Sequence, residues 1–289
     1  MPSQLSVHAS RFIADRSLSE NMSKLKLAVA FPLVGKSEFK YEGLLRRMKR
    51  AARNQFDGVE LHIDQPRNAD TKRIKNLART AKLEIAAIGT GMTYTKYGLS
   101  LLDDRIEIRR AAYETTRQYI KLGSELGAGV VLALIRGRYS ARSGRAKAEE
   151  RLSRVLRVLA LYAETRKVSL FLEPINRYEL NLIHTLTEAT EMIKKSGASG
   201  IRILADTFHM NIEESSFVKA IRASGRHIGH VHLADCNRGA PGQGHIDFRG
   251  ILNALKASGY AGWVSAEIVF KPDEARALAQ TSRTVRPLL

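Results

Sequence analysis

The sequence predicts a single α/β domain with the architecture of a (β/α)8 TIM barrel. Three observations lead to this prediction. The chain has 289 residues, of which 44% are hydrophobic, and this length is typical of one barrel. Short apolar runs alternate eight times with amphipathic segments of helical period. No glycine-rich phosphate loop follows the first apolar run, which disfavours the alternative, a doubly wound open sheet.

Eight apolar runs predict the strands. In chain order they span 25–31, 56–63, 83–89, 128–135, 168–173, 201–206, 228–233 and 263–270. Their nearly continuous apolar character is typical of parallel strands that are buried on both faces. Glycines such as Gly58, Gly127 and Gly200 often precede these runs, and this placement fits helix C-caps and tight turns into strands.

Eight amphipathic segments predict the outer helices. They lie at about 38–54, 68–81, 103–126, 144–165, 186–196, 213–224, 249–258 and 273–285. The net charge of +18 would suit a nucleic-acid-binding protein if the charge lay on one face. Lys and Arg are instead spread along the helical segments, as in 44–55 and 105–121. This spread indicates solvated helix surfaces rather than a surface for nucleic acid.

The barrel domain is predicted to span residues 24–289. Residues 1–23 are polar and end just after a second methionine, Met22, so we interpret them as a disordered extension or as the result of start-site choice. The single cysteine, Cys236, excludes an internal disulfide and suits a reducing compartment. No apolar run approaches the roughly 20 residues that span a bilayer, and we expect a cytoplasmic protein without a membrane partner.

Four side chains that suit a metal ion end four consecutive predicted strands. They are Glu173, Asp206, His232 and Glu267. In a barrel, the carboxyl ends of the strands meet at the rim that carries the active site. Three carboxylates and one imidazole form a mainly oxygen set, which favours Mn²⁺, Mg²⁺ or Co²⁺ over a structural zinc ion. The sequence therefore predicts a divalent metal site, for which we expect Mn²⁺.

The segments that follow these four residues resemble a known family. EPINRYE (173–179), DTFHMNIEE (206–214) and HVHLADCNRGAPGQGHIDF (230–248) resemble the D-tagatose 3-epimerase branch of the xylose isomerase-like barrels. Within that branch, IGTG (88–91), LIRGR (134–138) and LADTFHMNIEE (204–214) are most similar to 5-keto-L-gluconate epimerases. The resemblance covers about residues 24–270 and implies a sugar phosphate isomerase/epimerase type of barrel.

The resemblance also implies a reaction. Glu173, Asp206, His232 and Glu267 match the metal ligands of the family, and Glu173 and Glu267 also match its acid/base pair. A divalent ion would polarise the carbonyl of a ketose or keto-sugar acid, which stabilises a cis-enediolate. One glutamate would remove the C3 proton and the other would return a proton to the opposite face. The implied activity is C3 epimerisation without a redox cofactor.

Five further residues are predicted to bind the sugar. Glu179, His209 and Arg238 resemble the family's positions around C1 and C2. His62, at the end of strand 2, is expected to line the pocket, although a histidine there is about as often structural. Arg136, or Arg138 beside it, is a candidate for reading a sugar carboxylate, with the basic surface as the alternative. Asp235 is expected either to orient a ligand or to cap a turn.

Three other functions fit parts of the pattern. An aldose–ketose isomerase, such as hydroxypyruvate isomerase, would use the same chemistry but return the proton at C1. An endonuclease IV-like DNA repair enzyme would explain the charge, but strand 3 ends in IGTG without a histidine and no Asp-x-His follows His232. A non-catalytic binding barrel is disfavoured because all four ligands are present. We expect a small sugar substrate, no nucleic-acid partner and a homo-oligomer, either a dimer or a tetramer.

Overall fold

Eight parallel strands pair in chain order and close into a barrel. The structure, a computed structural model, describes residues 25–35 and 39–289. The strands are β1 (Lys26–Leu33), β2 (Gly58–Ile63), β3 (Glu84–Gly89), β4 (Gly129–Leu132), β5 (Leu170–Leu172), β6 (Ile201–Asp206), β7 (Ile228–Leu233) and β8 (Trp263–Ala266). Because β1 pairs with both β2 and β8, the predicted TIM barrel is confirmed. The predicted extension at 1–23 lies outside the described residues.

Helices follow the strands and cover the barrel. In the described part of the chain they are α1 (Phe39–Arg53), α2 (Thr71–Ala81), α3 (Gly91–Tyr97), α4 (Ile106–Leu126), α5 (Arg145–Glu164), α6 (Leu186–Ser196), α7 (Thr207–Glu213), α8 (Phe217–Ser224), α9 (Phe248–Ala257) and α10 (Glu274–Val285). Short 3₁₀ helices lie at Pro66–Asn68, Leu134–Arg136, Gly225–His227 and Arg286–Leu288. Among the described residues, no helix combines the length and apolar character that crossing a membrane requires.

The helices bury the outer face of the sheet, which explains the continuous apolar strands. Residues 27–31 of β1 are all buried, regardless of which face they occupy. One large apolar layer fills the space between barrel and helices and includes Met48 of α1, Ile74 of α2 and Leu156 of α5, all fully buried. This layer holds the strands rigidly, so side chains at the strand ends have fixed positions.

The barrel interior is packed around Phe171 of β5. A Cβ atom on Gly129 of β4 or on Gly229 of β7 would overlap the Phe171 ring, so these two glycines make the space that the ring fills. His230 stacks on the same ring, with the ring centroids 5.2 Å apart. The lower barrel is therefore filled by side chains, and a cavity lies at the carboxyl ends of the strands.

Some predicted boundaries differ from the structure. The strands predicted at 168–173 and 263–270 extend only over β5 and β8, so Glu173 and Glu267 lie directly after them. The apolar residues Ile268 and Phe270 pack against the core from a loop. Hydrophobicity cannot distinguish such a loop from a paired strand. The helix predicted at 213–224 is also wrong at its start, since α8 begins at Phe217 and the separate helix α7 precedes it.

Candidate active site

The four predicted metal ligands lie together at the carboxyl rim of the barrel. Glu173 follows β5, Asp206 ends β6, His232 lies in β7 and Glu267 follows β8. One ligand atom from each residue lies within 4.8 Å of the others. The Nδ1 atom of His232 is 3.6 Å from Glu173 Oε1, 3.7 Å from Asp206 Oδ2 and 3.5 Å from Glu267 Oε2. The strand order that the sequence predicts thus produces one cluster.

Two buried atoms of this cluster are unsatisfied, and this observation tests whether a metal fits. Within the described residues, Asp206 Oδ2 and His232 Nδ1 have no hydrogen-bond partner. Leaving a buried polar atom unpaired costs about 1–3 kcal/mol. The other oxygen of Asp206, Oδ1, accepts from the backbone N–H of Phe208 at 2.7 Å at the start of α7. Three carboxylates and one imidazole suit a divalent ion, so the residues present fit the metal.

Glu267 is held as a carboxylate by its neighbours. Burial acts to raise the pKa of Glu267, but the positive charges of Arg238 and His232 outweigh it and set the pKa well below its usual range. Arg238 Nη2 donates to Glu267 Oε2 at 2.5 Å. Burial likewise acts to lower the pKa of Arg238, and the carboxylates, Glu267 first, reverse this and raise it. The pair therefore stays fully charged and positions Glu267 beside His232.

A cavity of about 170 Å³ opens directly above the cluster. It is lined by His62, Gly89, Gly91, Met92, Thr95, Val131, Ala133, Leu134, Glu173, Ile175, Glu179, His209, His232, Arg238 and Glu267. Most of the residues that the sequence indicates for metal and sugar binding are in this set, whereas Asp206 lies beneath it, 1% exposed. The cavity therefore offers a small molecule direct access to the cluster.

His209 is oriented by the loop after β5. The backbone N–H of Asn176, which can only donate, lies 3.5 Å from His209 Nδ1, and the Asn176 amide nitrogen lies 2.8 Å from the same atom. Arg238 Nη1, which can also only donate, lies 3.4 Å from Nε2 on the other side of the ring. Nε2 lies 3.9 Å from both Glu173 Oε1 and Asp206 Oδ2. His209 thus presents Nε2 to the space above the cluster.

Asn176 also connects His209 to Glu179. The Asn176 amide donates to Glu179 Oε1 at 3.0 Å. Asn176 is almost fully buried and had no role in the sequence analysis, although it lies inside the EPINRYE segment. It holds two of the predicted sugar-binding side chains in one rigid group.

The loop after β7 carries Arg238 into the site. Asp235 accepts hydrogen bonds from the backbone N–H groups of Cys236, Gly242 and Ile246, at 2.9, 2.9 and 3.2 Å. Of the two predicted roles for Asp235, the structure therefore favours the turn cap. Arg238 has a positive φ of 57°, and its guanidinium lies 4.6 Å from the centre of the Phe208 ring. The loop and the ring together fix the guanidinium.

Arg136 takes a different position from the predicted one. Its side chain is fully buried, and it donates to the backbone carbonyls of Glu173 and Leu182 at 2.6 and 2.9 Å. Burial lowers the pKa of Arg136 to about 10. Arg138 is exposed and donates to the Glu179 carbonyl at 3.1 Å. The expectation that Arg136 contacts a sugar is corrected, because it does not line the cavity and supports the Glu173 backbone instead.

Two inward-facing residues, Glu60 and His230, were not predicted from the sequence. Glu60 accepts hydrogen bonds from His62, His230 and His232, which lie on β2 and β7. The signal was present as alternation, since residues 60 and 62 of VELH and residues 230 and 232 of HVH share one strand face. The sequence does not show which strand face lines the barrel, so the pattern does not reveal that these residues meet.

Comparison with known proteins agrees with this geometry. The sequence pattern of the xylose isomerase-like TIM barrels matches residues 48–286. The chain belongs to the xylose isomerase-like TIM barrel family. Within the family, an L-ribulose 3-epimerase from Mesorhizobium japonicum is 34% identical over 219 residues, which cover 73% of this chain and 71% of that protein.

Two further relatives define the branch of the xylose isomerase-like family. A 3-dehydro-D-guloside 4-epimerase from Escherichia coli (strain K12) is 30% identical and covers 78% of this chain and 87% of its own length. The solved structure of an L-ribulose 3-epimerase superimposes with a TM-score of 0.77 at 26% identity, over 90% of this chain and 93% of that chain. The predicted resemblance to the sugar 3-epimerase branch is confirmed, and the 5-keto-L-gluconate subgroup stays a prediction.

Proposed function

We propose that this chain is a divalent-metal-dependent isomerase that epimerises ketoses or keto-sugar acids at C3. One observation carries the proposal. Glu173 and Glu267 belong to strands three places apart on the rim, yet their carboxylates lie 3.6 and 3.5 Å from the same atom, His232 Nδ1. Two carboxylates that approach one point from different directions suit proton removal from one face of a sugar and proton return to the other.

Glu173, Asp206, His232 and Glu267 would hold the ion, for which we propose Mn²⁺ over Mg²⁺ or Co²⁺. When bound, a divalent ion supplies Lewis-acid polarisation of a carbonyl oxygen. Asp206 and His232 are the most buried of the four, at 1% exposure each, and we assign them to holding the ion. The side chain of Glu267 is 22% exposed, so it faces the cavity and is free to reach a sugar proton.

The proton transfers follow from the charges in the site. Glu267 is ionised because the Arg238 guanidinium, 2.5 Å away, holds its pKa well below the usual range, against the effect of burial. Its ionised carboxylate can accept the C3 proton, and we assign Glu173, which approaches the same point from another strand, to return a proton on the other face. The reverse epimerisation exchanges these roles. His209 and the Arg238 guanidinium would bind the carbonyl and the C1 hydroxyl, and Glu179 would accept from a hydroxyl.

A metal-reconstituted activity assay tests this function. Metal-free protein is supplied with Mn²⁺ and a panel of L-ribulose, D-allulose, D-fructose and keto-sugar acids. We expect C3 epimerisation that falls by at least the roughly 10²–10⁴-fold contribution of an acid/base group in Glu173→Gln and in Glu267→Gln. Glu84→Gln, at an exposed ion pair with Lys26, is the matched control and should keep full activity. Retained turnover in either glutamine variant would refute the two-base scheme.

A second candidate is 4-epimerisation of a 3-keto glycoside. The Escherichia coli relative named above is called a 3-dehydro-D-guloside 4-epimerase. In this chain a second, mainly apolar cavity of about 450 Å³ shares His62, Met92 and Glu267 with the first. Its further lining includes Pro32, Val269 and Phe270, which would suit a bulky group beyond the sugar. A methyl or aryl 3-keto glucoside added to the panel tests it, and faster turnover than with free ketoses would favour it.

Other sequence-based expectations remain as predictions. The aldose–ketose isomerase differs only in the carbon that receives the proton, and isotope position distinguishes it. The cytoplasmic location and the homo-oligomer, a dimer or a tetramer, also stay predictions. A small sugar remains the proposed substrate, and the endonuclease IV alternative gains no support from relatives that are named as epimerases.

A further inference from the structure

Glu60, inside the barrel, accepts hydrogen bonds from three histidine rings. Its Oε1 lies 2.9 Å from His62 Nε2, and its Oε2 lies 2.8 Å from His230 Nε2. His232 Nε2 is 3.1 Å from both oxygens. Glu60, His230 and His232 are at most 1% exposed. The same atom of each ring, Nε2, points at the carboxylate.

Three ring nitrogens converge on the two oxygens of Glu60, and a carboxylate can only accept hydrogen bonds. Each of the three bonds is then donated by a ring Nε2–H group. This fixes which nitrogen of each ring remains for other partners, and it is Nδ1 in all three.

Two of these Nδ1 atoms face the candidate active site. His232 Nδ1 lies among Glu173, Asp206 and Glu267 and is buried without a hydrogen-bond partner in the described structure. His62 Nδ1 lies 3.6 Å from Glu267 Oε1 at the cavity wall. The two rings come from β7 and β2, which are not neighbours in the barrel. Glu60 therefore bridges the barrel interior between them.

We propose that Glu60 is a positioning residue that directs the Nδ1 atom of His232 to the metal and the Nδ1 atom of His62 to the substrate cavity. The inference rests on the metal site of the proposed function. Histidines that bind metals commonly donate the other ring N–H to a carboxylate, which fixes the tautomer and the ring orientation. Here one carboxylate serves a metal ligand and a cavity residue together, and His230 supplies the third donor.

Calorimetric titration of Mn²⁺ into the metal-free full-length protein tests the proposal without substrate. In Glu60→Gln we expect Mn²⁺ affinity to fall about 10–100-fold, the usual effect of losing such a partner. His230→Gln is the matched control, because His230 is equally buried and bonds the same carboxylate but has no Nδ1 contact with the cluster. Its Mn²⁺ affinity should stay within about threefold of wild type, well short of the roughly 10–100-fold loss expected for Glu60→Gln.

Three results of these titrations would overturn the role of Glu60. They are unchanged affinity in Glu60→Gln, an equal loss in His230→Gln, which would indicate a general packing effect, and two Mn²⁺ ions bound per chain, which would place a metal among the Nε2 atoms. Nitrogen-15 NMR of wild-type protein loaded with diamagnetic Mg²⁺ needs no variant. We expect the His232 ring proton on Nε2, and a proton on Nδ1 would contradict the proposal. If the wild type binds Mn²⁺ but epimerises no sugar, the proposed function fails and the role of Glu60 stands.

Discussion

The two oxygens of Asp206 have separate tasks. Oδ1 accepts from the backbone N–H of Phe208 at the start of α7, and Oδ2 faces the cluster without a hydrogen-bond partner among the described residues. One side chain therefore begins a helix and offers a metal ligand. The helix in turn carries His209, so the capping bond also helps to position a sugar-binding residue.

Asp206→Asn separates these tasks. The amide oxygen can still cap α7, while the NH₂ group replaces the ligand oxygen with a donor. We expect the metal-free variant to keep the thermal midpoint of wild type. Its Mn²⁺ affinity should fall by more than about 100-fold, which is the largest loss usually seen when a residue that only hydrogen-bonds to a metal ligand is replaced. Asp206→Ala also removes the cap and should cost about 1 kcal/mol of stability. Calorimetry and thermal unfolding measure the two effects, and wild-type affinity in the asparagine variant would exclude Asp206 as a ligand.

Gly89 provides the space for the His62 ring. A Cβ atom at position 89 would lie 2.7 Å from His62 Cδ2, whereas a Cβ atom at Gly91, which lines the same cavity, would meet only Leu134 at 3.8 Å. Gly89→Ala must therefore displace the ring, but Gly91→Ala need not. We expect kcat/KM to fall about tenfold or more in Gly89→Ala, since small misplacements at a site are costly. Equal kinetics for the two alanine variants would mean that His62 has no part in turnover.

Strand β5 is only three residues long, and Arg136 compensates for this at its end. The Arg136 guanidinium binds the backbone carbonyl of Glu173, the first residue beyond the strand, and that of Leu182. It thereby joins the strand end to a later loop. The position of an active-site carboxylate thus depends on a fully buried arginine of the preceding 3₁₀ helix.

Arg136→Met tests this support. The substitution leaves two buried carbonyls without their charged donor, and each such bond contributes about 1.5–3 kcal/mol. We expect thermal unfolding to show a loss of about 3 kcal/mol or more. Arg138→Met, at an exposed site, should cost less than about 1 kcal/mol of stability.

Arg138 remains a candidate for binding a sugar carboxylate. If it has this role, Arg138→Met will lose activity on keto-sugar acids but not on neutral ketoses. An unchanged ratio of the two activities would reject the role.

The elements that sequence patterns predicted poorly are the shortest ones. A strand ends where its neighbour stops pairing with it, as at Ala266 of β8. The residues beyond it, Ile268 and Phe270, are also apolar, so the sequence does not show where the strand ends. The seven-residue helices α3 and α7 are too short for a clear helical period. By contrast, the ligands at the ends of β5 to β8 were predictable, because chain order alone places consecutive strands side by side in a barrel.

Closure of the barrel brings together residues that lie far apart in the sequence. Glu60 of β2 meets His230 and His232 of β7 across the interior, although they lie 170 and 172 residues later in the chain. A glutamate or histidine inside a strand is unremarkable as a pattern. Only closure of the sheet reveals that these residues share one interior, so this part of the site could not be predicted from sequence.

Metal binding should stabilise the whole barrel, since the ligands come from four strands that folding must assemble. A ligand at 100 times its dissociation constant stabilises the folded state by about 2.7 kcal/mol. For a domain of this size we expect saturating Mn²⁺ to raise the thermal midpoint by about 5–10 °C. A chelator should reverse the rise, and His232→Gln should abolish it. Mn²⁺ that stabilises His232→Gln as much as wild type would place the ion elsewhere.

The most direct test of the two-base mechanism is the position of deuterium after turnover in deuterated water. Mn²⁺-loaded protein is incubated with a ketose substrate, and the recovered substrate and product are analysed by NMR. Because Glu173 and Glu267 exchange protons with solvent between turnovers, we predict deuterium at C3 of the epimerised ketose. Deuterium at C1 would instead identify an aldose–ketose isomerase, and epimerisation without any deuterium uptake would contradict proton transfer by the two glutamates.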